Sequence, residues 1–270
     1  MNLKNSIYYG SDGRASLFDL EIPSSWNNEL IIFCHGFMGF KDWGAWNLVQ
    51  TFFVNQGFGF AKLNLSHNGG TVTEGFDFPD EEAFAKNTYS KEINDLGLFR
   101  NHLLTLVHPE RIHLIGHSRG GGDVLLHAQK MPCDRLVLWA SISDIATRFP
   151  DEEALEEWKN QGYRTVLNGR TRQYLKQYYS LYEDFKANET DLSIKKAIAA
   201  HRIPMLVIHG DSDASISRKE AEALASWANG SLEIIVHADH VFGAKHPWKE
   251  SILPKPLHEV CEKTLAFLKV

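Results

Sequence analysis

The chain has 270 residues, of which 43% are hydrophobic, 11% aromatic and 23% charged, and its formal net charge is −6. This apolar content excludes a disordered chain, and a chain of this length can bury a large core in one or two domains. The acidic balance and the lack of a basic patch argue against binding to nucleic acid. The three cysteines form no CxxC pair, so neither a disulfide framework nor a structural zinc site is predicted.

Three features bear on the compartment in which the protein works. The first ten residues are polar and lack the apolar run of a signal peptide. No stretch approaches the roughly 18 apolar residues of a membrane-spanning helix. Unpaired cysteines fit a reducing compartment. We therefore expect a soluble, cytoplasmic protein without a membrane span, and the sequence gives no indication of its oligomeric state.

Short apolar runs alternate with stretches of helical periodicity along most of the chain. A two-residue alternation between Tyr8 and Ile22 predicts an opening antiparallel pair of strands. Nearly continuous apolar runs predict strands buried on both faces, and they lie at 30–34, 59–65, 111–115, 135–140, 205–209 and 232–236. Apolar residues at helical spacing predict helices at 46–56, 90–107, 121–130, 217–228 and 256–268. This order predicts an α/β fold, with a mostly parallel, twisted, doubly wound sheet and helices on both faces.

The alternation stops once, at residues 144–202, where no pattern of a buried strand occurs. About 60 residues are too many for an ordinary connection. The segment contains an acidic run at 151–157, which a solvated helix face explains. It also contains an Asn-Gly pair at 168–169 between β-branched and aromatic residues, which favours a hairpin. We predict that this segment is a cap inserted after the sixth strand, on a core made of residues 1–143 and 203–270.

The sharpest chemical motif is G-x-S-x-G at 116–120, with Ser118 at its centre. A predicted strand runs directly into the motif and a helix pattern follows it, which is the strand–turn–helix setting of a nucleophile elbow. The glycines leave room for so tight a turn. A plain glycine-rich turn, or a turn that cradles a phosphate, is the alternative interpretation.

A serine nucleophile needs a base, and a base histidine needs an orienting carboxylate. Among the thirteen histidines, His240 directly follows the last predicted strand, at the sheet edge where ligands bind in such folds. Asp211 and Asp213 follow the preceding strand, and Asp144 is a further candidate. The chain order Ser118, Asp213, His240 is the order expected of one particular enzyme fold.

Stabilising an oxyanion needs two backbone N–H groups that point at the developing negative charge. One is expected from Arg119, directly after the candidate nucleophile. The other is expected from Phe37, in the loop after the 30–34 strand, where Gly36 permits a tight turn. An ordinary turn at the end of the strand is the alternative for this loop.

Other kinds of site have weaker support. A metal site is disfavoured because its candidate ligands lack the H-E-x-x-H spacing and no cysteine joins them; these candidates are His237, Asp239, His240 and His246. No G-x-G-x-x-G opens the first βα unit, so a dinucleotide site is not predicted. We expect neither a metal nor a cofactor.

These motifs together resemble those of the α/β-hydrolase-fold serine esterases, and the resemblance covers nearly the whole chain. It rests on His35-Gly36-Phe37, Gly116-His117-Ser118-Arg119-Gly120, Gly210-Asp211-Ser212-Asp213 and Asp239-His240-Val241-Phe242. The resemblance implies an α/β-hydrolase fold, and its common G-x-x-D pattern selects Asp213 as the acid. The cap with its Asn-Gly hairpin resembles the compact lids of bacterial cinnamoyl (feruloyl) esterases and related acyl-hydrolases.

The residues and the resemblance predict a serine hydrolase that cleaves small-molecule carboxylic esters through an acyl-enzyme. Ser118 is expected to attack the acyl carbon, His240 to act as base and then as acid, and Asp213 to fix the His240 tautomer. Two alternatives stay open. One is an amide or peptide hydrolase similar to serine aminopeptidases, and the other is a non-enzymatic member of the fold that binds a small ligand.

Overall fold

The computed structural model describes all 270 residues, and eight of its ten strands form one sheet. The strands are β1 (Asn2–Tyr9), β2 (Ala15–Glu21), β3 (Glu29–Cys34), β4 (Gly59–Leu63), β5 (Arg111–His117), β6 (Arg135–Trp139), β7 (Tyr163–Leu167), β8 (Tyr174–Tyr178), β9 (Met205–Gly210) and β10 (Ser231–Ile235). The helices are α1 (Trp46–Asn55), α2 (Glu81–Ala85), α3 (Tyr89–Leu106), α4 (Arg119–Lys130), α5 (Glu152–Gln161), α6 (Ser180–Ala187), α7 (Ile194–Ala200), α8 (Arg218–Ala228) and α9 (Lys255–Leu268). No helix is both long and apolar enough to cross a membrane.

The sheet has the strand order β1-β2-β4-β3-β5-β6-β9-β10. β1 pairs antiparallel with β2, and β2 pairs antiparallel with β4. Every other pair in the sheet is parallel. The predicted mostly parallel α/β sheet with an antiparallel opening is therefore confirmed. Because parallel strands end at the same edge, the loops after β5, β9 and β10 meet there.

The central strands are buried on both faces. On β3, Leu30 and Ile32 join a core with α3, α4 and α8, whereas Ile31 and Phe33 join a second core with α1 and α9. Successive side chains of a strand point to opposite faces, so both faces of β3 are covered by helices. This burial explains the nearly continuous apolar runs in the sequence.

Two strands end two residues from the predicted position, β4 at Leu63 and β5 at His117, and two elements begin earlier than predicted. The opening pair of strands begins at Asn2 rather than near Tyr8. β1 is an edge strand with most of its residues exposed, so its polar sequence gave no apolar pattern. Helix α4 begins at Arg119 rather than at residue 121. Its first turn is rich in glycine, a poor helix former, and this composition hid the start of the helix.

Residues 140–204, between β6 and β9, leave the sheet and contain five of the elements, α5, β7, β8, α6 and α7. β7 and β8 pair antiparallel, so the predicted hairpin is present, but the Asn-Gly pair does not make a two-residue turn. Residues 168–173 connect the strands, and the Asn168 side chain accepts hydrogen bonds from the N–H groups of Arg170 and Thr171. An Asn side chain that closes a turn on its own backbone explains why this residue favours the loop.

A buried cluster of four charges joins β2 and β4 to the loop after β3. Lys62 Nζ lies 2.9 Å from Asp19 Oδ2, and Lys41 Nζ lies 2.8 Å from Asp19 Oδ1. Both lysines also bind Asp42. Burial lowers the pKa of Lys62. Burial alone would raise the pKa of Asp42, but the two lysines hold it at about 2. The two lysines and the two aspartates balance in charge, so the loss of any one of them leaves the cluster with a net charge.

We expect Lys62→Met to lower the free energy of unfolding by about 3–5 kcal/mol, because it leaves a buried negative charge uncompensated. Urea unfolding followed by circular dichroism measures this loss. Lys86→Met is the matched control, since Lys86 pairs with Glu82 on the exposed surface and such pairs contribute little. The prediction fails if both variants unfold at the urea concentration that unfolds the wild type.

Candidate active site

Ser118 lies in a sharp turn between β5 and α4. Its backbone has φ 57° and ψ −123°, a conformation that costs a non-glycine residue about 1–3 kcal/mol. The turn is so tight that a Cβ on Gly116 would lie 2.2 Å from the carbonyl oxygen of Gly120, and a Cβ on Gly120 would lie 2.3 Å from that of His35. Only glycine fits at these two positions. The strand–turn–helix context predicted for this motif is present.

The structure brings Ser118, His240 and Asp213 into one hydrogen-bonded chain. His240 Nε2 is 2.9 Å from Ser118 Oγ, and His240 Nδ1 is 2.8 Å from Asp213 Oδ2. The three residues follow β5, β10 and β9, so the converging strand ends place them together. The Asp213 side chain is fully buried, whereas that of His240 is 21% exposed. This arrangement can transfer a proton from the hydroxyl to the imidazole.

Several donors hold the Asp213 carboxylate in its ionised form. Its Oδ1 accepts hydrogen bonds from the backbone N–H groups of Ser215, at 2.7 Å, and Ile216, at 2.9 Å. Burial alone would raise the pKa of Asp213, but the hydrogen bonds from His240 and from these N–H groups lower it below its usual value. A carboxylate that stays charged can stabilise an imidazolium beside it.

The two alternative carboxylates do not reach His240. Asp211 is exposed, and its Oδ1 accepts hydrogen bonds from the N–H of His237 and the hydroxyl of Ser212. Asp144 is also exposed, and its side chain accepts from the N–H of Ala146. Asp144 orders its own loop, whereas Asp211 links its loop to the one that follows β10. Of the three carboxylates, Asp213 is the one that contacts His240.

The loops that carry Asp213 and His240 are joined to each other through their backbones. The Ser212 N–H donates to the carbonyl of Ala238 at 3.0 Å, and the Asp211 N–H donates to Ile235. His117 Nε2 lies 2.8 Å from the carbonyl oxygen of His240. Burial lowers the pKa of His117 to about 3, so the ring is neutral and its Nε2–H donates this bond.

The N–H groups of Phe37 and Arg119 are the two that the sequence predicts for an oxyanion hole. Neither donates a hydrogen bond to an acceptor within the protein. Residues 35–37 pack against the elbow, and Phe37 lines the same cavities as Ser118. His35 holds this loop: its Nδ1 binds the Gly36 carbonyl at 2.9 Å and its Nε2 accepts from the Leu65 N–H at 3.3 Å. Burial lowers the pKa of His35 to about 4, so it is neutral there.

The Arg119 side chain takes part in a buried charge cluster that the sequence interpretation missed. Its Nε donates to Glu92 Oε2 at 2.7 Å, and its guanidinium stacks on Tyr89 at 3.8 Å. Asp123 lies one turn further along α4, and neither of its oxygens has a hydrogen-bond partner. Burial, together with the nearby Glu92 carboxylate, raises the pKa of Asp123 well above its usual range. Glu92 lies at helical spacing with Leu96, Phe99 and Leu103, and a charge in such an apolar stripe is the signal that could have identified it.

The residues considered for a metal site serve other contacts. His246 accepts a hydrogen bond from the Gly44 N–H and packs against Phe40 at 4.9 Å between ring centres. His240 faces the serine, and the Asp239 side chain accepts hydrogen bonds from nearby backbone N–H groups. No group of three or more His, Cys, Asp or Glu side chains is placed to hold a metal ion.

Two clefts of about 250 Å³ each open at Ser118, and Phe37 lines both. The first cleft is lined by His240 and by Trp43, Trp46 and Arg170. The second lies on the other side of Phe37, under residues 148–181 of the segment between β6 and β9. Ser118 can therefore be reached from both clefts.

Comparison with known proteins shows the family. The sequence matches the model of the alpha/beta hydrolase family over residues 31–251. The fold is similar to that of Est1E from Butyrivibrio proteoclasticus with ferulic acid bound, with a TM-score of 0.75, 19% identity and coverage of 97% of this chain and 98% of that one. It is also similar to dienelactone hydrolase from Anabaena variabilis, with a TM-score of 0.66, 14% identity and coverage of 100% and 97%.

A third similar structure is the esterase domain of a Rhodothermus marinus protein, with a TM-score of 0.61, 19% identity and coverage of 88% of this chain and 89% of that one. A search of curated proteins found no match. The family match covers most of the chain, and the sheet order, the elbow and the loop positions agree with it. The chain belongs to the alpha/beta hydrolase family.

Proposed function

We propose that this protein is a serine hydrolase that cleaves carboxylic esters through an acyl-enzyme on Ser118. The observation that carries the proposal is the chain of contacts from Ser118 Oγ to His240 Nε2 at 2.9 Å and from His240 Nδ1 to Asp213 Oδ2 at 2.8 Å. The similarity to Est1E, whose structure holds ferulic acid, supports an ester substrate.

In the first half of the reaction, Ser118 Oγ attacks the acyl carbon and His240 Nε2 takes the hydroxyl proton. The carbonyl oxygen becomes an oxyanion, and the N–H groups of Phe37 and Arg119 donate hydrogen bonds to it. The tetrahedral intermediate then collapses. Its C–O bond to the alcohol breaks, and His240 gives the proton to the leaving oxygen.

In the second half, water attacks the acyl-enzyme while His240 accepts its proton. The new tetrahedral intermediate releases the carboxylic acid, and the proton returns to Ser118 Oγ. Asp213 stabilises the His240 imidazolium in both halves because it remains ionised at the other ring nitrogen.

In this proposal the alcohol part and the acyl part of the ester lie in different clefts. His240 lines the first cleft and does not line the second. Because His240 must protonate the leaving oxygen, the alcohol leaves through the first cleft. The acyl group then occupies the second cleft, next to Ser118 and Arg119.

Residues 144–202 act as a cap in this proposal, and residues 1–143 and 203–270 form the core. The cap supplies half of the residues that line the second cleft, namely Arg148, Phe149, Arg164, Val166, Gln177 and Leu181. The core supplies the nucleophile, the base and the oxyanion loop. The cap therefore contributes to acyl specificity together with the core, whereas the chemistry belongs to the core alone.

The test is a panel of 4-nitrophenyl esters and hydroxycinnamate esters, compared with aminoacyl 4-nitroanilides, together with a fluorophosphonate probe. We expect the probe to label the wild type at Ser118 and ester turnover to exceed anilide turnover by tenfold or more. Faster anilide turnover would indicate an amide hydrolase. A protein that takes up no probe and cleaves neither class would contradict the proposal and favour a ligand-binding role.

A further inference from the structure

The second cleft is lined by three arginines, Arg119, Arg148 and Arg164, and by no carboxylate. The chain as a whole carries a formal net charge of −6, so the positively charged lining of this cleft is opposite in sign to the protein as a whole. The remaining lining is mainly apolar, with Ile142, Phe149, Val166, Leu181 and Ile216 among it. A cleft with apolar walls and cationic groups suits a ligand that has both an apolar and an anionic part.

Two of these arginines are neutralised by the protein itself. Arg119 Nε donates to Glu92 at 2.7 Å, and both side chains are less than one-tenth exposed. Arg148 pairs with Glu220, which also accepts a hydrogen bond from the N–H of Ser143. Neither arginine leaves a net charge in the cleft.

Arg164, on β7 of the cap hairpin, is the exception. Its Nε donates to Gln177 Oε1 at 3.0 Å, and its guanidinium lies over the ring of Trp158 at 4.1 Å. It forms no salt bridge, and its two terminal nitrogens have no acceptor in the protein. Burial lowers the pKa of this guanidinium, and no carboxylate offsets that effect. The cleft therefore carries one uncompensated positive charge.

The position of this charge is fixed by its neighbours. Trp158 is 2% exposed, and its Nε1–H donates to the carbonyl of Gln177 at 2.9 Å. Gln177 is itself buried on β8 and binds Arg164. The guanidinium is held between a fixed ring and a fixed amide, which leaves its two terminal NH2 groups free for a ligand. Such a fork fits the two oxygens of a carboxylate.

We propose that the second cleft binds an acyl group that ends in a carboxylate, so that the substrates are half-esters of dicarboxylic acids. The terminal nitrogens of Arg164 bind the free carboxylate, and Phe149, Val166 and Leu181 contact the methylene chain. A single uncompensated charge matches a monoanion. This inference rests on the proposed function, since it names the acyl group transferred to Ser118.

The kinetic test compares the 4-nitrophenyl half-esters of adipic and pimelic acid with the same esters capped as methyl esters. For the wild type we expect kcat/KM to favour the half-esters by tenfold or more. Arg164→Met should lower this preference at least tenfold, and Arg164→Lys should give an intermediate value. Arg172→Met, an exposed arginine on the same hairpin, is the control and should leave the preference unchanged. Equal rates for charged and capped esters with the wild type would overturn the inference.

A binding test separates this inference from the proposed function. In the Ser118→Ala protein, which performs no turnover, calorimetry compares monomethyl adipate with dimethyl adipate. We expect the monoanion to bind at least tenfold more tightly, and Arg164→Met to abolish the difference. A binding preference without any ester turnover in the wild type would support the anion site and contradict the esterase. Equal binding of the two compounds would contradict the anion site, whatever the turnover.

Discussion

Replacement of Ser118 by alanine should lower ester turnover by about 10⁶ while the protein stays folded. The Ser118 hydroxyl contacts His240, and Ser118 and Phe37 are the residues that line both clefts, so the proposed attack on the acyl carbon depends on this hydroxyl. Alanine accepts the same backbone conformation at the same strain, so the elbow itself is kept. The measurement is initial-rate hydrolysis of a 4-nitrophenyl ester, with circular dichroism to confirm folding.

The matched control is Ser226→Ala, which changes an exposed serine on α8. It should leave the rate unchanged. If purified Ser118→Ala retained more than a few per cent of the wild-type rate, Ser118 would not be the nucleophile. A fluorophosphonate probe gives an independent readout, because it should label Ser226→Ala and fail to label Ser118→Ala.

Replacement of Asp213 by asparagine should lower turnover by about 10⁴. The carboxylate accepts the Nδ1–H of His240, and this hydrogen bond leaves Nε2 free to accept the Ser118 proton. An asparagine amide can instead donate to Nδ1, which moves the ring proton to Nε2 and removes the base. Asparagine keeps the shape of the side chain, so the loss should appear in kcat rather than in folding.

Asp211→Asn is the control for this prediction. Asp211 lies two residues from Asp213, and its side chain accepts from the backbone N–H of His237 and does not contact the His240 ring. Turnover should fall much less in this variant than in Asp213→Asn. The opposite ranking of the two variants would move the acid to Asp211. Small and equal losses would return Asp144 to consideration.

The sheet could be predicted from the sequence because strands that are buried on both faces have nearly continuous apolar sequences. Runs such as those of β3 and β9 place apolar side chains alternately in two cores, so almost every residue of the run is apolar. The candidate site could be predicted once the strands of the sheet were predicted. Once the strands are placed, Ser118, Asp213 and His240 each follow a strand end, and parallel strands bring these ends to one edge.

Features that depend on distant partners were beyond the sequence. Arg119 was considered only for its backbone N–H, and nothing local indicates that Glu92, 27 positions earlier, pairs with its side chain. The same holds for Lys62, whose charge is explained by Asp19 on a neighbouring strand and by Asp42 in the loop after β3. The segment between β6 and β9 was distinguished in the sequence by the absence of a buried-strand pattern. Its internal order of helices and hairpin depends on packing among elements too short to carry a strong periodicity.

The backbone links between the loops of Asp213 and His240 have a consequence for the rate of reaction. Ser212 is tied to Ala238, and the His240 carbonyl is tied to the His117 ring, so neither loop can shift without breaking a hydrogen bond of the other. The conformational entropy of these loops is lost when the chain folds, before any substrate binds. A substrate then meets dipoles that already point in the required direction, and the reorganisation that water would have to undergo around the same charges is avoided. A substitution that loosened these links would therefore reduce stability and rate together, although it would touch none of the reacting atoms.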